Sequence, residues 1–81
     1  MTLVTLYGKP GCHLCEEAKA AISYVHERQP FEYEEVDITR DPTLEARYRE
    51  RIPVVAIDGE DALELVIEAT ELEQRLASMA P

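Results

Sequence analysis

The sequence predicts an α/β fold in the order β-α-β-α-β-β-α, with a four-stranded mixed sheet and helices on both faces. Three observations carry this. Short β-rich runs alternate with stretches of helical apolar period, the pattern of β-α-β units. An Asp58-Gly59 pair lies between two apolar runs, which signals a tight hairpin. A chain of 81 residues has room for one domain, because at this length only about 60–65% of the unfolded surface is buried on folding.

"LVTLY", residues 3 to 7, reads as a buried strand that stops at Gly8, and the turn Gly8-Lys9-Pro10-Gly11 follows. The apolar period then changes. Cys15, Ala18, Ile22 and Val25, with Leu14 and Ala21 alongside, predict an amphipathic helix from Cys12 to about Arg28, closed by Pro30. In "FEYEEVDI", residues 31 to 38, the pair Phe31 and Tyr33 and the pair Val36 and Ile38 fall on opposite faces. That implies a strand with a bulge near Glu34-Glu35. Asp41-Pro42 starts a second helix over 42 to 50, because the aspartate oxygen can take the first free N–H groups and proline suits the first helical position. Its apolar stripe is Leu44, Tyr48 and Ile52. "PVVAI", residues 53 to 57, is a third strand, and residues 63 to 67 are expected to form a fourth. Thr70 and Glu73 make a capping box for the closing helix, whose stripe is Leu72, Leu76 and Met79. The two β-α-β crossovers are expected to give parallel neighbours and the hairpin an antiparallel strand.

The composition, 46% apolar and 31% charged, is that of a globular protein, and the net charge of −9 argues against nucleic acid or an anionic membrane as partner. No secretory signal or membrane-spanning run is visible, so the expected location is the cytoplasm. In that reducing setting a C-x-x-C pair is redox-active or metal-binding more often than a permanent staple.

Cys12 and Cys15 are that pair. A thiolate at the first turn of a helix meets unpaired N–H donors and the positive end of the helix dipole, and Lys9 adds a nearby charge, so Cys12 is expected to ionise readily. Cys15 lies on the stripe of Ala18, Ile22 and Val25 and points to the core. The expected division of labour is Cys12 as nucleophile and Cys15 as the thiol that resolves the mixed disulfide. His13, between them, either supports the Cys12 thiolate when protonated or is simply solvated.

"LYGKPGCHLCEEAKAAI" resembles the first strand and helix of glutaredoxins, and "RIPVVAIDGE" resembles their later "TVP" strand and turn. The combination of "GCHLCEEA", "VDI-x-x-DP" and "RYRERIPV" is most similar to a branch of short glutaredoxin-like proteins. The resemblance runs from Leu3 to Gly59 and implies the thioredoxin fold. It also implies a cis Ile52-Pro53 bond facing the active cysteine, with the Ile52 backbone offered to an extended substrate. By the same resemblance Lys9 matches a lysine that contacts the glycine carboxylate of glutathione. Arg51 replaces the threonine of "TVP", and Arg47 lies where helix two supplies a second cationic contact, although each arginine would equally serve as a partner of Glu45 or Glu50. The family's Gly-Gly pair is missing from "ELVIEATELE"; there Thr70 would offer hydroxyl and N–H groups, but Glu68, Glu71 and Glu73 crowd that end with negative charge.

The resulting expectation is a monomeric thiol-disulfide oxidoreductase that reduces protein or small-thiol disulfides, has no tightly bound cofactor and draws on glutathione or another thiol as reductant. The alternatives are a glutathione-dependent enzyme, an iron–sulfur-binding module bridging two chains through Cys12, and a non-enzymatic module that docks a basic partner on its acidic face. A zinc site of Cys12, Cys15, His13 and His26 is disfavoured, because His26 lies about three helical turns from Cys15.

Overall fold

The structure, a computed structural model, describes residues 1–78. Its elements are β1 (Leu3–Gly8), α1 (His13–Arg28), β2 (Glu32–Asp37), a 3-10 turn (Ile38–Arg40), α2 (Pro42–Tyr48), β3 (Val54–Ile57), β4 (Glu60–Glu64) and α3 (Ala69–Ser78). The sheet order is β2-β1-β3-β4. Val4, Leu6, Val55, Ile57 and Leu63 pack with the apolar faces of α1 and α3 in the larger core. Ile38, Tyr48, Ile52, Val54 and Cys15 form a smaller core on the α2 side.

The α1 stripe is as expected, with Cys15, Ala18, Ile22 and Val25 buried, although Leu14 is 40% exposed. Asp41 caps α2, its Oδ1 accepting from the N–H of Thr43 at 2.9 Å and of Leu44 at 3.4 Å. The helix ends at Tyr48, short of the expected residue 50.

Only the first crossover gives parallel neighbours. β1 and β2 are parallel, whereas β3 lies antiparallel to β1 with Val54 opposite Tyr7. The reason is length. The seven residues of α2 span about 10 Å, while a six-residue strand runs about 20 Å. Too short to return the chain to the far end of the sheet, α2 passes across its top, and β3 departs from the end where β2 finished.

The bulge expected at Glu34-Glu35 is absent, since β2 pairs with β1 in unbroken register from Leu3/Glu32 to Gly8/Asp37. The change of face has another cause: Tyr33, within β2, packs with the core on the α1 side, whereas Ile38, already in the 3-10 turn beyond the strand, packs with the core on the α2 side. The irregularity lies instead in the hairpin, between Val55 and Ala56, where Val55 pairs with Leu63 and Ala56 with Asp61.

β4 begins at Glu60, earlier than the expected 63 to 67, because the two-residue turn re-enters the sheet at once. Asp58 (φ +51°) and Gly59 (φ +87°) both adopt the left-handed conformation that such a turn requires. Its polar first residues give no apolar signal. The capping box is not formed either. The Leu72 N–H donates to the Glu68 carbonyl at 3.1 Å, so α3 starts a residue before Thr70, and Glu73 turns to Arg28 on α1 at 3.1 Å. Met79 of the expected stripe lies outside the described residues.

Candidate active site

The ends of β1 and β2 and the start of β3 converge on one edge of the sheet, where α1 begins. Cys12 is the N-cap of α1. Its extended backbone (φ −90°, ψ 114°) turns Sγ toward the helix, and Sγ accepts the N–H of Cys15 at 3.2 Å. The cap normally filled by a serine or aspartate oxygen is therefore filled by the candidate nucleophile. Cys12 is half-buried against the smaller core.

Cys15 is only 3% exposed. Burial, and then the Cys12 sulfur as hydrogen-bond partner, push its thiol up to about 11, while the Lys9 N–H and ammonium pull weakly the other way. It is held as a protonated thiol. A Cβ at Gly8 would stand 2.9 Å from Cys15 Sγ and 3.3 Å from its Cβ, so glycine here is a requirement of space. Nothing in the run of residues around Gly8 signals that contact, because it joins the end of a strand to a helix face.

The Ile52-Pro53 bond is cis, as the resemblance implied. Ile52 and Val54, on either side, pack with Cys15, which brings the proline segment beside the cysteines. The Ile52 N–H is used within the fold, donating to the Tyr48 carbonyl at 3.1 Å. Tyr48 is a hub not singled out by the sequence as part of the site. Its ring stacks on Tyr7 at 4.6 Å, and its hydroxyl donates to Asp61 at 2.9 Å. Burial, then the Asp61 bond, raise its phenol above the ordinary value.

The two arginines do not pair with Glu45 or Glu50. Arg51 contacts Glu64 at 2.7 Å and Asp61 at 3.3 Å, and Arg47 reaches Asp61 at 3.9 Å. Both guanidinium groups also lie over the Tyr48 ring, at 5.1 Å and 5.3 Å. Arg51 is thus tied closely to β4, whereas the more exposed Arg47 only reaches its edge. His13 is exposed, with Nε2 at 3.2 Å from Glu17, and so turns to solvent. Thr70 is exposed in the first turn of α3. His26 donates to the Phe31 carbonyl at 2.8 Å, remote from the cysteines along α1.

A cleft of about 390 Å³ opens between the Gly8–Gly11 turn, α1 and the end of β2, with Lys9, Cys15, Lys19, Glu35 and Asp37 on its walls. Lys19 bridges Glu16 at 3.3 Å and Glu35 at 3.4 Å, which raises its ammonium above the ordinary value. Hydrogen bonds from Thr39 hold the Asp37 carboxyl below the usual carboxylate range. Lys9 lines this cleft and makes no ion pair among the described residues.

A mixed sheet with its cis-proline segment and a C-x-x-C at the first helix defines a thioredoxin-fold protein. Comparison with known proteins narrows the class. The family described as "Glutaredoxin-like domain (DUF836)" matches residues 3–78, and the chain belongs to this glutaredoxin-like family. Protein XcR50 from X. campestris is similar in structure at 32% identity, over 96% of this chain and 99% of that one, with a TM-score of 0.79. Ne2328 from Nitrosomonas europaea matches at 25% identity over 91% and 89% of the two chains, also at 0.79. A thioredoxin from Halobacterium salinarum, 18% identical over 99% of this chain and 78% of that one, shares the fold with a TM-score of 0.73. Family and fold together support a redox-type function. Among the described residues no helix is long and apolar enough to cross a membrane.

Proposed function

We propose that the chain is a thiol-disulfide oxidoreductase working by a dithiol mechanism. The observation that carries this is the asymmetry of the pair, with Cys12 capping the helix through its sulfur and Cys15 buried behind it as a thiol. The Cys12 thiolate attacks one sulfur of a substrate disulfide, forming a mixed disulfide and expelling the other sulfur as a thiolate that takes up a proton. Cys15 then gives up its proton, attacks the Cys12 sulfur and expels the second substrate thiol. The substrate gains two electrons and the protein holds a Cys12–Cys15 disulfide. Two equivalents of an external thiol, such as glutathione, reset it.

Lys9 would hold an anionic group at the site mouth, and the Ile52 carbonyl beside Pro53 would align an extended substrate. Arg51, held by Asp61 and Glu64, instead braces the Ile52-Pro53 segment against β4, with Arg47 at the edge of the same cluster. Thr70 is left with at most a peripheral contact. No resident cofactor is invoked, and a monomer in a reducing compartment suffices for the scheme. The test is a pair of variants incubated with an oxidised protein substrate. Cys12→Ser should abolish exchange, whereas Cys15→Ser should accumulate a mixed disulfide at Cys12. Equal behaviour of the two variants would contradict the assigned roles.

A further inference from the structure

β4 ends at Glu64, which pairs with Val54, and the next residue, Leu65, donates its N–H to the Pro53 carbonyl at 2.8 Å. The backbone of Leu65 is thereby fixed to the cis-proline segment. Leu65 takes a left-handed conformation (φ +69°), which favours glycine and disfavours a leucine. Leu65 is 44% exposed and Val66 63% exposed, between Leu63 and Ile67, which are both buried. Two apolar residues are thus exposed next to the cis-proline segment, Leu65 bonded to it and Val66 following, at a place where the core uses their neighbours.

The charges around them point the same way. Arg51, the cation next to this segment, is engaged by Glu64 and Asp61, and Glu68 and Glu71 follow as exposed carboxylates. A ligand carboxylate arriving here finds Arg51 already paired and meets like charge from Glu64, Glu68 and Glu71. A neutral or basic peptide meets the complementary surface.

We infer that Leu65, with Val66, is a specificity-determining contact for an extended segment of a protein disulfide that carries an apolar residue beside its cysteine, in preference to a carboxylate-bearing small thiol. This rests on the oxidoreductase reading above. The apolar neighbour packs on Leu65 while the substrate cysteine reaches Cys12, so the gain appears only with a peptide long enough to cover the Pro53 wall.

The test compares exchange rates of the parent chain, Leu65→Asn and Leu65→Gly. Both replacements suit the left-handed backbone. The probes are a peptide disulfide with leucine beside the cysteine, the same peptide with aspartate there, and bis(2-hydroxyethyl) disulfide. The parent should prefer the leucine peptide to the aspartate peptide. Each variant should lower kcat/KM for the leucine peptide, relative to the small disulfide, by about tenfold, the scale of losing part of a buried leucine contact. Ratios unchanged in both variants, or a parent that exchanges with all three probes alike, would overturn the inference and leave the oxidoreductase reading intact. A parent that exchanges with none of them would overturn that reading itself, and this inference with it.

Discussion

The Cys15 N–H donates to Cys12 Sγ at 3.2 Å, so the sulfur that would attack a substrate is also the cap of α1. Stability and reactivity can therefore be separated by substitution. Cys12→Ser keeps a capping side chain and should unfold within about 0.5 kcal/mol of the parent in denaturant, although it has lost the nucleophile. Cys12→Ala loses the cap as well and should be less stable by about 1 kcal/mol. An alanine variant as stable as the parent would show that the sulfur does not cap the helix.

Cys15 links folding to pH. Its thiol moves from an ordinary value of 9.0 to about 11 in the folded chain, mainly through burial. The native state holds this proton more tightly than the unfolded state, so the contribution is full below pH 9 and is lost as the pH rises through about 11. Guanidinium unfolding of the reduced protein and of Cys15→Ala, across that window, should show the difference between them shrinking with rising pH. A constant difference would contradict the burial argument. In the reduced parent, alkylation should reach Cys12 well before Cys15.

Gly8 sets how closely β1 approaches that thiol. In Gly8→Ala the added methyl would meet Cys15 Sγ at 2.9 Å, and the atoms in its way belong to a buried side chain. The variant should lose about 1–3 kcal/mol in denaturant unfolding, the usual cost of overpacking, and should close the Cys12–Cys15 disulfide more slowly. Parental stability together with a parental rate of closure would show that this corner has slack.

What the sequence made legible follows from which interactions are local. The α1 stripe, the Asp41 cap and the Asp58-Gly59 turn are encoded within a few residues, and each is found where expected. The candidate cysteines were equally plain, because their chemistry depends on spacing and on the start of one helix. Tertiary geometry was not visible in this way. The direction of β3 depends on α2 being too short to return down the sheet, and the polar Glu60 and Asp61 hid the first residues of β4. The partners of Arg51, Asp61 and Glu64, were not visible either, because they lie across the hairpin from it on the neighbouring strand. Gly8 and Leu65 owe their roles to close approaches between distant segments.

Tyr48 ties α2 to β4 through its hydroxyl and to β1 through its ring. Tyr48→Phe removes the bond to Asp61 but leaves Arg51 to satisfy that carboxylate, so the expected loss is about 1 kcal/mol. Tyr48→Ala also empties a core position and should cost about 3–5 kcal/mol, as for other large aromatic truncations. Equal losses in the two variants would mean that the ring contributes nothing beyond its hydroxyl.

The central claim, a reversible dithiol pair, is tested most directly by equilibrating the protein in a series of reduced-to-oxidised glutathione ratios. Each sample is quenched with acid, alkylated and weighed by mass spectrometry. The account predicts a single interconversion between the dithiol and the Cys12–Cys15 disulfide, with a midpoint in the range of known carriers, about −120 to −270 mV. Two free thiols at every ratio, or a dominant single glutathione adduct at Cys12 in place of the internal disulfide, would contradict it.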